Sequence, residues 1–276
     1  MKKIFLTLTL ILAFVLSINN YVFAVDGIQF ITVNEKSMRA YVKGLGDTTI
    51  VMLSGWGTES PIDDFMPLAD KLSSDYKVVI LECFGYGESD ITVDERSNQV
   101  IVQEIHTALE ELKISPPYVL MPHSMSGLYS LYYANNYPSK VLGIIGIDMS
   151  LPQKQLERWT EEKFEETKID QESSDLNISM INQWNKFYDN SKELKDVKYP
   201  PCLPVLVFLA TEQIENVDDM IKFGTMQTSW TGINTNMITN LDIQNIEILE
   251  GKHYLHHNRV DEIVRISKEF IESKVK

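Results

Sequence analysis

Short apolar runs recur along the chain, with longer amphipathic segments between them. The runs at residues 48–53, 76–81, 118–121, 141–147, 204–210 and 246–249 are apolar enough for buried strands. Apolar residues at helical spacing occupy residues 61–73, 94–113 and 260–275. This alternation predicts an α/β fold with a mostly parallel, doubly wound sheet. In such sheets ligands bind beyond the carboxyl ends of the strands, so polar residues that follow strands are the candidates for chemistry.

Two further strands are expected ahead of this alternating region. Residues 28–33 and 38–43 predict a hairpin with Asn34 and Glu35 in its turn. The glycine-rich residues 44–47 then separate the hairpin from the first buried strand.

The pattern changes between residues 152 and 199. This stretch is charged and helix-prone, lacks a strand-like run, and ends at Tyr199-Pro200-Pro201. We interpret residues 25–151 and 200–276 as the core, and residues 152–199 as a helical cap insertion over the active end of the sheet. The alternative is a long pair of crossover helices with no covering role. The apolar underside of these helices is predicted to comprise Trp159, Phe164, Ile178, Trp184, Phe187 and Tyr188.

The amino terminus has the pattern of a secretory signal. Met1-Lys2-Lys3 precedes an apolar run at residues 4–18, and Val22-Phe23-Ala24 supplies a small-x-small cleavage site. We expect a signal peptide at residues 1–24 and a secreted or cell-surface protein. The alternative is an uncleaved membrane anchor, although the apolar run is short for a span.

The amino-acid composition argues against one class of binding partner, nucleic acid. The chain has 276 residues, 44% of them hydrophobic, and a formal net charge of −14. This acidity argues against a nucleic-acid partner, which needs clustered Lys and Arg. Cys83 and Cys202 are too few for a disulfide framework, so buried free thiols are favoured over a single bridge.

The apolar run at residues 118–121 reaches Ser124 and passes directly into a predicted helix. A sharp strand-to-helix turn lifts the serine hydroxyl above the sheet edge, and the new helix points its amides toward it. The segment resembles the Gly-x-Ser-x-Gly elbow of the α/β-hydrolase family. Pro122 and Ser126 occupy the two glycine positions, and Gly127 follows one place later. The resemblance implies that Ser124 is the nucleophile, whereas the position of Ser126 suits helix capping.

A serine nucleophile needs a base, and His253 follows the last predicted strand. Gly251-Lys252-His253 resembles the terminal Gly-x-His loop of the family, which implies that His253 takes the proton. We expect His256 and His257 to be cap or surface residues, and no metal site, because no acidic ligand pattern accompanies these histidines. His123 is expected to point away from the serine hydroxyl and to have no catalytic role.

The carboxylate that orients the base has two candidates. The family commonly places it after the penultimate strand, where this chain has Glu212 one residue early. Some members place it one strand earlier, where Asp148 directly follows residues 141–147. We favour Asp148 and keep Glu212 as the alternative. Either residue preserves the order serine, acid, histidine.

Acyl transfer also needs amide donors for the developing oxyanion. The backbone N–H of Met125, directly after the nucleophile, is one candidate. Ser54-Gly55-Trp56-Gly57 follows the strand at residues 48–53 and resembles the His-Gly-x-Gly loop of the family. The resemblance implies that Trp56 supplies the second N–H and that its ring lines the acyl pocket.

Together these features predict an exported serine hydrolase that cleaves a carboxylic ester through an acyl-enzyme. The expected partner is a small acyl substrate, with no metal or organic cofactor and no membrane contact beyond an uncleaved anchor. Fold does not fix substrate, so a proline-iminopeptidase-like aminopeptidase stays open. A non-catalytic binding or receptor protein on the same fold is the alternative from another class.

Overall fold

A computed structural model describes residues 26–211 and 236–275. Its centre is an eight-stranded sheet with the strand order β1-β2-β4-β3-β5-β6-β7-β8. β1 pairs antiparallel with β2 and β2 with β4, while every other neighbouring pair is parallel. The strands are β1 Gly27–Val33, β2 Lys36–Lys43, β3 Thr49–Leu53, β4 Lys77–Glu82, β5 Tyr118–Pro122, β6 Val141–Ile147, β7 Val205–Ala210 and β8 Gln244–Leu249.

Helices cover both faces of this sheet. Those of the described residues are α1 Pro61–Leu72, α2 Asn98–Glu111, α3 Ser126–Asn136, α4 Pro152–Arg158, α5 Glu161–Glu165, α6 Ile178–Glu193, α7 Leu255–Asn258 and α8 Val260–Phe270. One apolar core includes residues of α1 and α8, and the other includes residues of α2 and α3. In β3, Ile50 and Met52 belong to one core and Val51 to the other. Burial on both faces explains why that strand is continuously apolar, and the doubly wound α/β prediction is confirmed.

The predicted hairpin is also confirmed, with Val33 opposite Lys36. Asn34 and Glu35 form its two-residue turn with φ of 48° and 64°. Positive φ at both positions matches the twist of antiparallel strands, so the turn fixes the register.

The second predicted helix begins four residues later than expected. Ser97 lies in extended conformation and its side chain accepts a hydrogen bond from the Val100 amide, so α2 begins at Asn98. Arg96 lies just before this cap and pairs with Glu104 at 2.7 Å, with each side chain 1% exposed. The capping serine and this buried ion pair therefore hold residues 94–97 outside the helix.

Three helices, α4 to α6, occupy the chain between β6 and β7. The indole N–H of Trp56, which follows β3, donates to the Met180 carbonyl at 2.8 Å. The side-chain Nδ2–H of Asn177 donates to the carbonyl of Gly85, which follows β4, also at 2.8 Å. These bonds attach the start of α6 over the carboxyl ends of β3 and β4. The division into a core at residues 25–151 and 200–276 and a cap at residues 152–199 stays a prediction.

Two other expectations can be compared with the structure only in part. Both cysteines are free thiols, with Cys83 partly buried and Cys202 exposed. The expectation of buried thiols is therefore wrong for Cys202, which lies in the turn after Pro200-Pro201. The predicted signal peptide at residues 1–24 lies outside the described residues. Among those described, no helix has the length and apolar content needed to cross a membrane.

Candidate active site

Ser124 lies at a strained turn beyond the carboxyl end of β5, which is an inner strand of the sheet. Its φ is 51°, a left-handed conformation that is costly for serine. The surrounding backbone fixes this conformation, because the Ser124 amide donates to the Ile147 carbonyl at 3.3 Å. The Ser124 carbonyl in turn accepts from the Ser150 amide at 2.7 Å. The strand-to-helix turn predicted from the sequence is therefore present.

The displaced glycine of the elbow has a steric explanation. A Cβ placed at Gly127 would lie 2.5 Å from the Ser150 carbonyl oxygen, so this position cannot carry a side chain. Ser126 meets a different environment, and its hydroxyl donates to the Ser54 carbonyl. It does not cap α3, whose N-cap residue is Met125 with no side-chain cap, so the capping expectation for Ser126 is wrong.

The structure brings His253 to Asp148. The Nδ1 atom of His253 lies 2.6 Å from Oδ2 of Asp148, whose side chain is 1% exposed. The other carboxylate oxygen accepts from the Ala210 amide at 3.2 Å, at the end of β7. An ionised carboxylate accepts only, so this bond places the imidazole proton on Nδ1 and leaves Nε2 able to act as a base. The alternative acid, Glu212, lies outside the described residues.

The loop after β3 lies directly against Ser124. A Cβ placed at Gly55 would come 2.9 Å from the Cβ of Ser124, so only glycine fits here. Within the described part of the chain, the amides of Trp56 and Met125 donate to no acceptor. Two unpaired N–H groups next to a serine are what an oxyanion requires.

Aromatic side chains surround Trp56. Its ring lies 4.9 Å from that of Trp184 on α6, which in turn lies 5.7 Å from Phe164 on α5. Phe164 is 1% exposed, whereas Trp56 and Trp184 are partly buried against the core. The wall next to the loop after β3 is therefore aromatic.

Lys154 on α4 is an additional charged group near Asp148. Burial lowers the pKa of this lysine to about 7, although the Asp148 charge acts in the opposite direction. The Lys154 pKa therefore lies well below that of an ordinary lysine. Sequence reasoning gave no signal for it, because the shift depends on packing.

Sequence analysis also did not predict the cluster formed by His123, His256 and His257 next to His253. His256, expected to be a cap or surface residue, lies inside α7 between its caps Tyr254 and Arg259 and is fully buried. Its ring stacks on Phe65 at 5.0 Å and places Nε2 3.0 Å from Asp64. The expectation for His256 is therefore wrong, because α7 packs on the start of α1. His257, which is 44% exposed, also contacts Asp64, at 2.6 Å. His123 is fully buried beside this group.

Asp64, His123 and His256 are the one group of the described residues that could hold a metal ion. Their ligand atoms lie within 4.8 Å of one another, and imidazole with carboxylate suits zinc. However, Nε2 of each imidazole already makes a hydrogen bond, to Asp64 or to the His253 carbonyl. We therefore interpret the group as a hydrogen-bonded cluster.

A cavity of about 610 Å³ opens beside this cluster. The residues that line it are Gly57, Thr58, Glu59, Ser60, Asp63, Asp64, Tyr254 and His257. None of Ser124, His253 and Asp148 lines it, so we assign it no part in the chemistry.

Comparison with known proteins agrees with this architecture. Residues 48–200 match the sequence profile of the alpha/beta hydrolase fold. Because the match covers more than half of the chain, the protein belongs to the α/β-hydrolase family.

Individual relatives match over shorter stretches. The uncharacterized protein YbdG of Bacillus subtilis (strain 168) is 36% identical over 124 residues, covering 45% of this chain and 38% of the relative. A 2-hydroxy-6-oxononadienedioate/2-hydroxy-6-oxononatrienedioate hydrolase of Escherichia coli O139:H28 is 31% identical over 128 residues, 41% of each chain. The matched region thus spans about two fifths of either relative.

Among solved structures, a thermophilic esterase from Thermogutta terrifontis with bound malate superposes with a TM-score of 0.63. The superposition covers 90% of this chain and 99% of the esterase at 13% identity, which shows the fold alone. The family match supports a hydrolase.

Proposed function

We propose that this protein is a serine hydrolase that cleaves a carboxylic ester through an acyl-enzyme. The observation that carries the proposal is the 2.6 Å contact between His253 Nδ1 and the buried Asp148 carboxylate. It leaves the proton off Nε2 of His253, whose loop contacts His123, the residue directly before Ser124. An imidazole held in this tautomer is the base that a serine nucleophile needs.

In the proposed reaction the Ser124 hydroxyl attacks the ester carbonyl carbon while His253 Nε2 takes its proton. Asp148 stabilises the imidazolium that forms. The amides of Trp56 and Met125 donate to the oxyanion of the tetrahedral intermediate. Collapse of the intermediate breaks the bond to the alcohol, which receives the proton from His253. Water, activated by the same imidazole, then releases the acid and restores Ser124.

The aromatic wall favours an apolar acyl group. Trp56 carries one proposed oxyanion donor, so its ring lies close to where the acyl chain begins. Trp184 extends that surface at a ring separation of 4.9 Å. We expect turnover of p-nitrophenyl esters to rise from acetate to longer acyl chains, until the chain exceeds the space below α6.

Labelling with a fluorophosphonate probe tests the proposal, because such probes react with activated serines. The wild-type protein should label, Ser124→Ala should not, and the matched variant Ser126→Ala should label like the wild type. No labelling of the wild type, or equal labelling of Ser124→Ala, would support the non-catalytic binding protein instead. An aminopeptidase would label as well, but would cleave aminoacyl anilides in preference to aliphatic esters.

We further propose that the protein is exported. The support is the basic start, the apolar run at residues 4–18 and the small residues before position 25. Amino-terminal sequencing of protein from the culture medium should begin at Val25. A chain that still begins at Met1 and stays with the membrane would indicate an uncleaved anchor.

A further inference from the structure

His123 contacts the loop that carries the proposed base. Its Nε2 lies 3.2 Å from the backbone carbonyl oxygen of His253, 130 residues away in sequence. The two rings lie 4.6 Å apart, and His123 is fully buried. Since a carbonyl oxygen only accepts, His123 must donate from Nε2. Its neutral form then leaves Nδ1 bare, and Nδ1 has no hydrogen-bond partner among the described residues.

The opposite edge of the same ring faces the loop after β3, which carries the proposed oxyanion donor Trp56. A Cβ placed at Gly55 would lie 3.0 Å from His123 Nδ1 and 2.9 Å from the Cβ of Ser124. His123 is also the residue directly before Ser124, and its amide donates to the Leu53 carbonyl at 2.9 Å. The His123 ring therefore contacts the loop of His253 at one edge and the loop of Gly55 at the other, while the His123 backbone belongs to the elbow.

Other contacts hold the rest of the histidine loop. Asp64, near the start of α1, accepts from His256 at 3.0 Å and from His257 at 2.6 Å. Asp148 holds the His253 ring at 2.6 Å. The His123 bond at the backbone carbonyl of His253 joins the loop of the proposed base to the residue before the proposed nucleophile.

We propose that His123 is a positioning residue, whose Nε2–H holds the His253 carbonyl and thereby sets the approach of the base to Ser124. This role rests on the proposed function and involves no contact with substrate. A shift of about 1 Å in a reacting group can cost about a hundredfold in rate. The distance between base and serine is the quantity that this bond controls.

The environment of His123 keeps the ring neutral, and the bond to the His253 carbonyl then fixes its proton on Nε2. Burial lowers its pKa well below the usual value, and the nearby imidazoles of His256 and His253 act in the same direction. Tyr254 covers another side of the ring at 4.8 Å. The Nε2–H donor is therefore maintained throughout the neutral range.

The matched variants His123→Gln and His123→Met test the role. Both replacements are unbranched and similar in length, but only the glutamine amide can donate near the position of Nε2. We expect His123→Met to lower kcat for a p-nitrophenyl ester by about 10- to 100-fold. KM should change less than about threefold, and His123→Gln should recover most of kcat. A wild-type kcat in His123→Met, or equal losses in the two variants at equal thermal stability, would overturn the proposal.

Histidine NMR supplies a readout that needs neither activity nor a variant. In wild-type protein with ¹⁵N-labelled histidine at pH 7, His123 should show a protonated Nε2 and a bare Nδ1. The opposite tautomer, in which Nε2 carries no proton, would overturn the proposal even if neither variant folded. If the wild-type protein neither labels nor hydrolyses esters, the proposed function fails. The tautomer still decides separately whether His123 holds the His253 carbonyl.

Discussion

Replacement of Asp148 by asparagine tests the proposed catalytic arrangement most directly. The substitution keeps the size of a side chain that is 1% exposed, and one oxygen can still accept from the Ala210 amide. That contact orients the new NH₂ group toward His253, at the position where the carboxylate now lies 2.6 Å from Nδ1. The imidazole must then accept at Nδ1 and carry its proton on Nε2. The lone pair that should deprotonate Ser124 is lost.

The expected loss is large because the wrong tautomer removes the base. Loss of the correct tautomer and of carboxylate stabilisation costs about 10³- to 10⁴-fold in turnover. This corresponds to about 4–5.5 kcal/mol of barrier. The rate of fluorophosphonate labelling should fall by a similar factor, because it uses the same base. Thermal unfolding should show that Asp148→Asn remains folded.

Hydrolysis of a p-nitrophenyl ester, followed in wild type, Asp148→Asn and Glu212→Gln, is the assay. We expect Glu212→Gln to retain activity within a few-fold of wild type. If Asp148→Asn stays within about tenfold of wild type while Glu212→Gln is inactive, the acid is the other carboxylate. If both variants keep activity, neither residue orients the base and the mechanism is wrong.

Three further changes have defined outcomes. Gly55→Ala places a Cβ against Ser124, so it should lower ester turnover at least about a hundredfold and the free energy of unfolding in urea by about 1–3 kcal/mol. Wild-type turnover in this variant would contradict the steric argument. Burial lowers the pKa of His123 and His256, so the native state keeps them neutral while the unfolded chain binds protons below about pH 6.5. The contribution of these two histidines to the free energy of unfolding should therefore be complete above that pH and decrease toward pH 5.5, by up to about 2.7 kcal/mol per pH unit for two protons. Denaturation curves with the same free energy of unfolding across this range would refute the argument. Glu104→Gln leaves the buried Arg96 charge unpaired and should cost about 3–5 kcal/mol in chemical denaturation; a loss below about 1 kcal/mol would show that the pair is not isolated from water.

Sequence pattern predicted correctly those features that depend only on neighbouring residues, such as a buried strand and a tight turn. The run Thr49–Leu53 is buried along its whole length, and its uninterrupted apolar character indicates this. The turn at Asn34 and Glu35 likewise follows from short-range pattern. The start of α2 was not predicted correctly, because residues 94–97 stay outside the helix while Arg96 pairs with the buried Glu104. That long side-chain contact is not visible in the local apolar pattern.

The alternation of strands and helices, the elbow at Ser124 and the position of His253 after the last strand are features of the sequence itself. They depend on neighbouring residues and on the rule that the carboxyl ends of parallel strands meet at one edge. Only the tertiary structure brings Asp148 to 2.6 Å from His253, and places Nε2 of His123 against the carbonyl of that base. It also shows that the close approach falls at Gly127 and not one residue earlier. These contacts join residues from separate strands and loops, and the packing that sets their distances is not encoded in any local pattern.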